Sequence, residues 1–513
     1  MKREILTAGA LLALSVTLAS CDRFLEEHPK TFFIIDGYFD SEEHITTAVN
    51  GLYTFPANIF NGDIEIGSGT YIFLDYLPGY AIRPRAATTK DLQQAMSLTV
   101  AEDNTRLQAL WQTAYYAINN ANSVIEGIEA SAPEVMDEDK KKVLLGEVYF
   151  FRAYYYFDLV RLFGEVPLKL RSTKDLSDAM MPLSSKEEVY ARVETDLAKA
   201  EELMNGSPLS NPNGRITLGA VKAMQAKLFL TMAGYPLQKG VACYDKAWQK
   251  AKELYSSAAF SLEPTYEALR VAARTANAQN QGEYIWTVQR DKDNAGSGVH
   301  TNMLPYPAPD PVIAHASQSG YGGALAPAQL FYDSYAAGDR RADEQGYYYT
   351  EYPALNGSGT MQLGRPYIFK YWDQSSLVDA KSGANYPLMR YADVLLMMAE
   401  AKCMADGGTT TDADAIEAYW LVRKRAFPLE AKPASISSET VLKERFWELC
   451  FECQTWYDML RTRKALRLPQ GDVANLIGLY TPGHTSGAVF KESDLLFPYP
   501  VRERRLNPNL VRN

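Results

Sequence analysis

The chain has 513 residues, 47% hydrophobic and 22% charged, with 62 acidic against 52 basic side chains and a formal charge of −10. A chain of that length buries a substantial core and exceeds one minimal domain. The acidic balance, with no basic patch in the sequence, disfavours nucleic acid as a partner.

In chain order, Lys2 and Arg3 precede an uncharged apolar run from Ile5 to Ser20, the layout of a signal peptide. The run falls short of the ~20 residues of a membrane-spanning helix and ends in small residues rather than a basic stop-transfer cluster. Leu18-Ala19-Ser20-Cys21 has the form of a lipobox. There the bond before Cys21 is cleaved and its thiol is lipidated, with palmitate among the acyl chains. Residues 1–20 are thus predicted to be removed as a lipoprotein signal, which takes away two bases and one acid and leaves −11. Residues 21–40 would form an anchor-proximal tether.

Beyond the tether, helical periodicity dominates both ends of the mature chain. From Leu107, the residues Leu110, Trp111, Ala114, Ile118, Ala121 and Ile125 fall on one stripe. A second stripe, Leu144, Val148, Phe151, Tyr155, Leu159 and Leu162, ends at Gly164 with Pro167 just beyond. The Tyr-rich run between them reads as core packing. Ser185 and Glu188 have capping-box spacing and open a third helix. Gly214 to Gly234 and Tyr244 to Ser257 read as a further antiparallel pair. "RYADVLLMMAEAKCMADGG" and the long "SETVLKERFWELCFECQTWYDMLRTRKAL" read as helices towards the other end. Long helices joined by short turns predict an all-α scaffold of tetratricopeptide-like pairs.

Residues from Asn58 to Thr105 and from Ser256 to Gly383 read instead as loop-rich. Their short strand-like runs, "EYIWTVQ" and "GRPYIFKYW", lie between Gly, Pro, Asn and Asp clusters. The organisation predicted is a helical region over 41–255, a loop-rich insertion over 256–383 and a C-terminal region over 384–513. Function is expected on the loops that a rigid scaffold displays.

Motifs for catalysis are missing from the text. Five scattered histidines have no metal-ligand spacing, and Cys450 and Cys453, within an apolar helical pattern, have no second C-x-x-C. These two, with Cys243 and Cys403, read as buried thiols of unassigned disulfide state. "GHTSG" (Gly483 to Gly487) misses nucleophile-elbow spacing by one residue. Acids are plentiful without forming an identifiable glycosidase pair, so an enzyme is not expected.

Several stretches together resemble the SusD/RagB family of outer-membrane nutrient-binding lipoproteins. They are Cys21 followed by "DRFLEEHPK", "FFRAYYYFDLVRLFGEVPL", "GRITLGAVKAMQAKLFLTMAG", "RYADVLLMMAEA", "KERFWELCFECQTWYDMLR" and the tail "LFPYPVRERRLNPNL". After Phe451 the family usually reads Glu-Gly-His-Arg-Trp. Here Glu452 and Trp456 stand with Cys453, Gln454 and Thr455 between them.

The resemblance implies a helical scaffold with a loop-rich subdomain that carries most ligand contacts. It further implies a lipid-anchored protein on the cell exterior, acting as lid to a SusC-like TonB-dependent transporter in the outer membrane. Asp22, Glu26 and Glu27 just after Cys21 fit surface export. The ligand would be an oligosaccharide, or a peptide as in the RagB branch; a helical assembly scaffold with no small ligand is the other alternative. No cofactor is expected beyond the lipid on Cys21, although a structural calcium ion in a loop is compatible with the resemblance.

Sugars offer C–H faces to aromatic rings and hydroxyls to directional polar groups. By region, the residues expected to contact ligand are Tyr71, Tyr76, Tyr80, Arg83 and Arg85 in the first insertion and Tyr306 and Tyr321 in the second. On that expectation Tyr80 and Arg83 are replaceable without loss of stability. For the anchor, Cys21→Ala should leave the chain unacylated by mass spectrometry of its native terminus and move it from the membrane to the soluble fraction. Unchanged fractionation would remove the lipobox from the account.

Overall fold

The computed structural model describes residues 35–60, 69–85, 89–175, 180–275, 281–306, 322–353, 359–377 and 381–512. Cys21, its tether up to residue 34, and Tyr321 lie outside them.

Helices α1 (Glu42–Leu52) and α2 (Thr70–Tyr76) come first, the latter within text that reads as loop-rich; then, as the periodicity predicts, come α3 (Thr105–Ala130), α4 (Glu138–Phe163), α5 (Lys186–Leu203), α6 (Leu218–Ala233) and α7 (Val241–Ser257). Local chemistry sets their ends. Asn104 accepts hydrogen bonds from the amides of Arg106 and Leu107, and Asp137 does the same for Asp139 and Lys140. The capping box at Ser185 is complete: the Glu188 amide donates to Ser185 Oγ (3.2 Å), and the Ser185 amide donates to Glu188 Oε2 (2.8 Å). Gly164 closes α4 at φ +75°, a left-handed value that glycine adopts without strain.

Successive helices pack as neighbours, α3 on α4, α4 on α5, α5 on α6 and α6 on α7, giving the stacked pairs expected of a tetratricopeptide-like scaffold. Helix α4 lies between α3 and α5 and is buried on every side over its C-terminal two-thirds, more than a single stripe predicts. Tyr149, Tyr154, Tyr155 and Tyr156 are accordingly core residues. One polar junction crosses the three helices. Arg152 on α4 donates to both Asp196 oxygens on α5 (2.9 and 2.8 Å) and to Asn122 Oδ1 on α3 (2.8 Å).

After the short α8 (Tyr266–Ala272), the scaffold resumes with α9 (Tyr391–Ala405), which packs against α7, then α10 (Ala413–Ala426), α11 (Ser438–Glu448), α12 (Thr455–Thr462) and α13 (Val501–Leu506). Among the described residues the strands form two-stranded antiparallel ladders. β1 (Ala81–Ile82) pairs with β3 (Ala326–Pro327), β2 (Tyr284–Val288) with β6 (Tyr386–Arg390), and β4 (Tyr348–Pro353) with β5 (Thr360–Ile368).

The long helix expected from Ser438 onward is instead broken. Residues between α11 and α12 turn, with Phe451 at φ +60° and Cys453 at φ +56°, so the two cysteines lie in the turn and not on a helix. The physical reason is a set of buried cations. Lys370 donates to the carbonyls of Glu448 and Cys450 (3.0 Å each) and the Tyr371 hydroxyl to that of Phe451 (2.7 Å). Arg390 donates to the Glu448 carbonyl (3.1 Å) and to the Glu452 carboxylate (2.7 Å). A continuing helix would use those carbonyls itself.

Around the turn, Arg425 bridges Glu283 (2.6 Å) and Glu448 (2.7 Å), and Arg341 pairs with Glu444 (2.7 Å). Burial pushes the Glu448 carboxyl up, but Arg425, Arg390 and Arg341 outweigh it and hold the group at about 2 instead of the usual 4.5. Its folded value is depressed, so its stabilising contribution is present above the unfolded value and disappears as pH falls from about 4.5 towards 2. Glu448→Gln, which takes one shared carboxylate from Arg425, Arg390 and Arg341 while Glu283, Glu452 and Glu444 remain as partners, should cost about 3 kcal/mol, read as a lower urea midpoint at pH 7. It should also flatten the acid limb of the stability profile.

Candidate functional site

The candidate contact region forms where the two loop-rich segments meet. The β1–β3 ladder sets Ala81 opposite Pro327 and Ile82 opposite Ala326, joining parts of the chain about 245 residues apart in sequence. From there the Arg85 amide donates to the Gly323 carbonyl (3.2 Å), and the Gly323 amide to that of Leu304 (2.8 Å). The Arg85 guanidinium lies over the Tyr306 ring, 4.4 Å from its centroid, a cation–π geometry.

Gly322 and Gly323, at φ +90° and +66°, make this approach sterically possible. A Cβ on Gly323 would lie 2.5 Å from Tyr306 Cβ, and one on Gly322 2.6 Å from the Pro305 carbonyl oxygen. The Tyr306 backbone is held from below. Its amide donates to Tyr367 Oη (3.2 Å), and that hydroxyl donates to the Tyr306 carbonyl (3.1 Å).

Tyr367 belongs to a satellite apolar core with Tyr349, Tyr352, Phe369 and Trp372. Phe369 and Trp372 stack at 5.1 Å. A small rigid aromatic base therefore supports a partly exposed Arg–Tyr pair at the rim.

The tyrosines of the first insertion have a different role. "TYIFLDY" is helix α2, and Tyr71 and Tyr76 are fully buried. Tyr71 Oη accepts from Asn302 Nδ2 (3.2 Å), and the Tyr76 hydroxyl donates to the Ala324 carbonyl. Tyr80 stacks on Phe331 at 4.7 Å, and its Oη accepts from the Leu466 amide (2.7 Å). Burial pushes all three phenols well above the usual tyrosine range. These rings hold the insertion to the scaffold and present no face to a ligand, so the expectation that they touch it is corrected. Arg83, partly buried, lies against the Tyr76 phenol and lowers it somewhat. Of the residues expected by region, Arg85 and Tyr306 alone are brought together as an accessible pair among the described residues. Sequence reasoning missed the supporting Tyr367, whose only signal was its place in the strand-like run "GRPYIFKYW".

A sequence profile described as the SusD family matches residues 339–513, and one described as starch-binding associating with outer membrane matches residues 23–230. A crystal structure of a SusD superfamily protein from Parabacteroides distasonis is 31% identical, with TM-score 0.82, covering 92% of this chain and 98% of that one. This chain belongs to the SusD/RagB family. SusD-like protein P2 of Formosa agariphila is 26% identical, covering 98% of both chains. Surface glycan-binding protein A from Bacteroides thetaiotaomicron, solved in complex with laminarihexaose, has the same fold. The likeness is 19% identity with TM-score 0.72, over 92% of this chain and 99% of that one. The SusD-type helical scaffold with small strand pairs is thus the shared frame.

Burial separates the two groups of aromatics experimentally. Tyr80→Ala should lower stability by about 3–5 kcal/mol, as removal of a large core ring does, with a clear drop in melting temperature. Arg85→Ala with Tyr306→Ala should leave melting within a degree or two of the parent, as partly exposed substitutions do. A reversed ranking in differential scanning calorimetry would refute this placement of Tyr80 in the core.

Proposed function

We propose that the protein is a cell-surface glycan-binding lipoprotein that captures oligosaccharide and delivers it to a SusC-like TonB-dependent transporter, over which it acts as lid. The observation that carries the reading is the Arg85–Tyr306 pair, 4.4 Å from guanidinium to ring centroid, on the rim of the loop-rich subdomain. An aromatic ring and a cation held against it together offer an apolar surface to a pyranose and donors to its hydroxyls. Membership of the SusD/RagB family supports binding rather than catalysis, and the solved relative with laminarihexaose supports glycan as the ligand class. Anchoring through Cys21 on the exterior face of the outer membrane completes the reading. It is supported by the lipobox and by the outer-membrane description of the profile over residues 23–230.

A shallow rim suits this task. Cargo that must be passed on has to dissociate quickly, and a few stacking and hydrogen-bonding contacts give affinities in the micromolar to millimolar range. Affinity electrophoresis in gels containing laminarin, xyloglucan or starch tests it. The parent protein should be retarded by at least one of them, and Arg85→Ala/Tyr306→Ala should weaken that retardation by about tenfold, the loss of one good contact. Binding of peptides without retardation by any polysaccharide would assign the ligand to the peptide class instead.

A further inference from the structure

A second aromatic groove lies outside the loop-rich region, on the helical scaffold. It is an open cleft of about 680 Å³ between the C-terminal end of α7, the segment Phe260–Pro264 and the last turns of α10. Tyr255, Tyr391 and Trp420 are among its lining residues, together with Glu263, Arg340 and Lys424.

Its walls are fastened to one another. The Arg340 amide donates to the Ala426 carbonyl (3.0 Å), and the Ser261 amide to that of Gly282 (3.1 Å). Arg425 reaches out of the buried ion network to the Glu263 carbonyl (3.1 Å), and the Glu263 amide donates to Glu283 Oε2 (2.8 Å). A groove built this way is preorganised, so ligand pays little ordering cost on entering it.

Two features mark it as more than a surface dent. Trp420 is partly exposed and stands apart from the apolar core against which Tyr255, Leu262 and Leu421 pack. The cations of "RKRAF" are also treated unequally. Arg423 pairs with Glu430 (2.7 Å) and Glu444 (3.0 Å), and Arg425 with Glu283 and Glu448. Lys424 and the nearby Arg340 are exposed and have no ion-pair partner among the described residues. A cation in the last turn of a helix is favoured by the helix dipole alone, which accounts for Lys424. It does not account for Arg340, which lies outside any helix.

We propose that this groove is a second glycan subsite, selective for acidic sugar residues: Trp420 and Tyr255 stack on the pyranose while Arg340 and Lys424 meet its carboxylate or sulfate. Guanidinium and ammonium groups in one cleft with aromatic rings match an anion carried on an apolar ring. Glu263 is the one acid among the described lining residues, and the two cations without an ion-pair partner among the described residues outweigh it. In a chain of net charge −10, such a local excess is what lets an anionic polymer approach at all. The proposal rests on the glycan reading but uses none of the residues of the Arg85–Tyr306 rim.

Isothermal titration of the processed full chain with three tetrasaccharides tests it: oligogalacturonate, a sulfated carrageenan tetramer and neutral laminaritetraose. At least one acidic tetramer should bind more tightly than the neutral one, the first arm indicating carboxylate and the second sulfate, and the preference should weaken with added salt. Trp420→Ala, and separately Arg340→Ala/Lys424→Ala, should each reduce that binding by about tenfold, with unchanged circular dichroism. Equal binding of acidic and neutral tetramers, no binding of either acidic tetramer, or acidic binding insensitive to both groove variants would overturn the proposal. Failure of the rim reading would appear separately, as neutral-polysaccharide retention insensitive to Arg85→Ala/Tyr306→Ala.

Discussion

The structure depends on one buried constraint, the requirement that Glu448 and Glu452 be neutralised out of reach of water. Their partners come from widely separated parts of the chain: Lys370 from the insertion, Arg390 from the end of β6, Arg425 from the last turn of α10 and Arg341 from the loop before β4. An uncompensated buried charge costs several kcal/mol, so these pieces are favourable only when assembled together. Apolar residues of similar volume would stabilise a core as well or better, but they would not select a single mutual orientation. In this protein the network ties the loop-rich region to the helical scaffold. It also forces the chain to turn after α11, because the cations claim both the carboxylates and the carbonyl oxygens there.

A second buried cluster does the same for the helices. Arg445 and Arg461 share Asp458 and Glu400, while Lys227 and Arg445 share Asp393. The elements joined are α6, α9, α11 and α12. The stretches that carry the family resemblance, "RYADVLLMMAEA" and "KERFWELCFECQTWYDMLR", are the ones that furnish these partners: Arg390, Asp393 and Glu400 from the first, Arg445, Glu448, Glu452, Asp458 and Arg461 from the second. The departure at Cys453, Gln454 and Thr455 leaves every one of those charges in place. What replaces the usual residues is local. The Cys453 amide donates to Asp75 Oδ1 (3.1 Å), and Lys227 reaches Gln454 Oε1 (2.7 Å).

Features set by short-range chemistry were legible without coordinates. The apolar stripes of α3 and α4, the glycine stop at residue 164 and the capping box at Ser185 each need only neighbours within a turn or two. The burial of Tyr71, Tyr76 and Tyr80 was not legible, because it follows from the pairing of Ala81–Ile82 with Ala326–Pro327 and from a hydroxyl contact to Leu466. An aromatic-rich text beside Gly and Pro reads the same whether it lines a ligand site or anchors a loop. The break after Glu448 was hidden for a similar reason: its cause lies at Lys370 and Arg390, outside the helical pattern. The rim was legible as a region, since Arg85 and Tyr306 both fall in loop-rich text, but their pairing needed Gly322 and Gly323 to bring two segments within one ring diameter.

On the proposed reading, the distribution of binding groups has a thermodynamic consequence. A single deep pocket would hold an oligosaccharide tightly and slow its transfer to a transporter, since affinity differences between related sites reside mainly in dissociation rates. A polymer that touches a shallow rim and a separate acidic-sugar groove is retained by combined occupancy, because once one contact forms the other is met at a high effective concentration. Each contact still exchanges rapidly. When the polymer is cut or drawn away, the second contact becomes intermolecular again and the gain is lost at once. Two weak sites on a rigid scaffold thus reconcile capture of a long chain with release of a short one, without any change in the protein's own conformation.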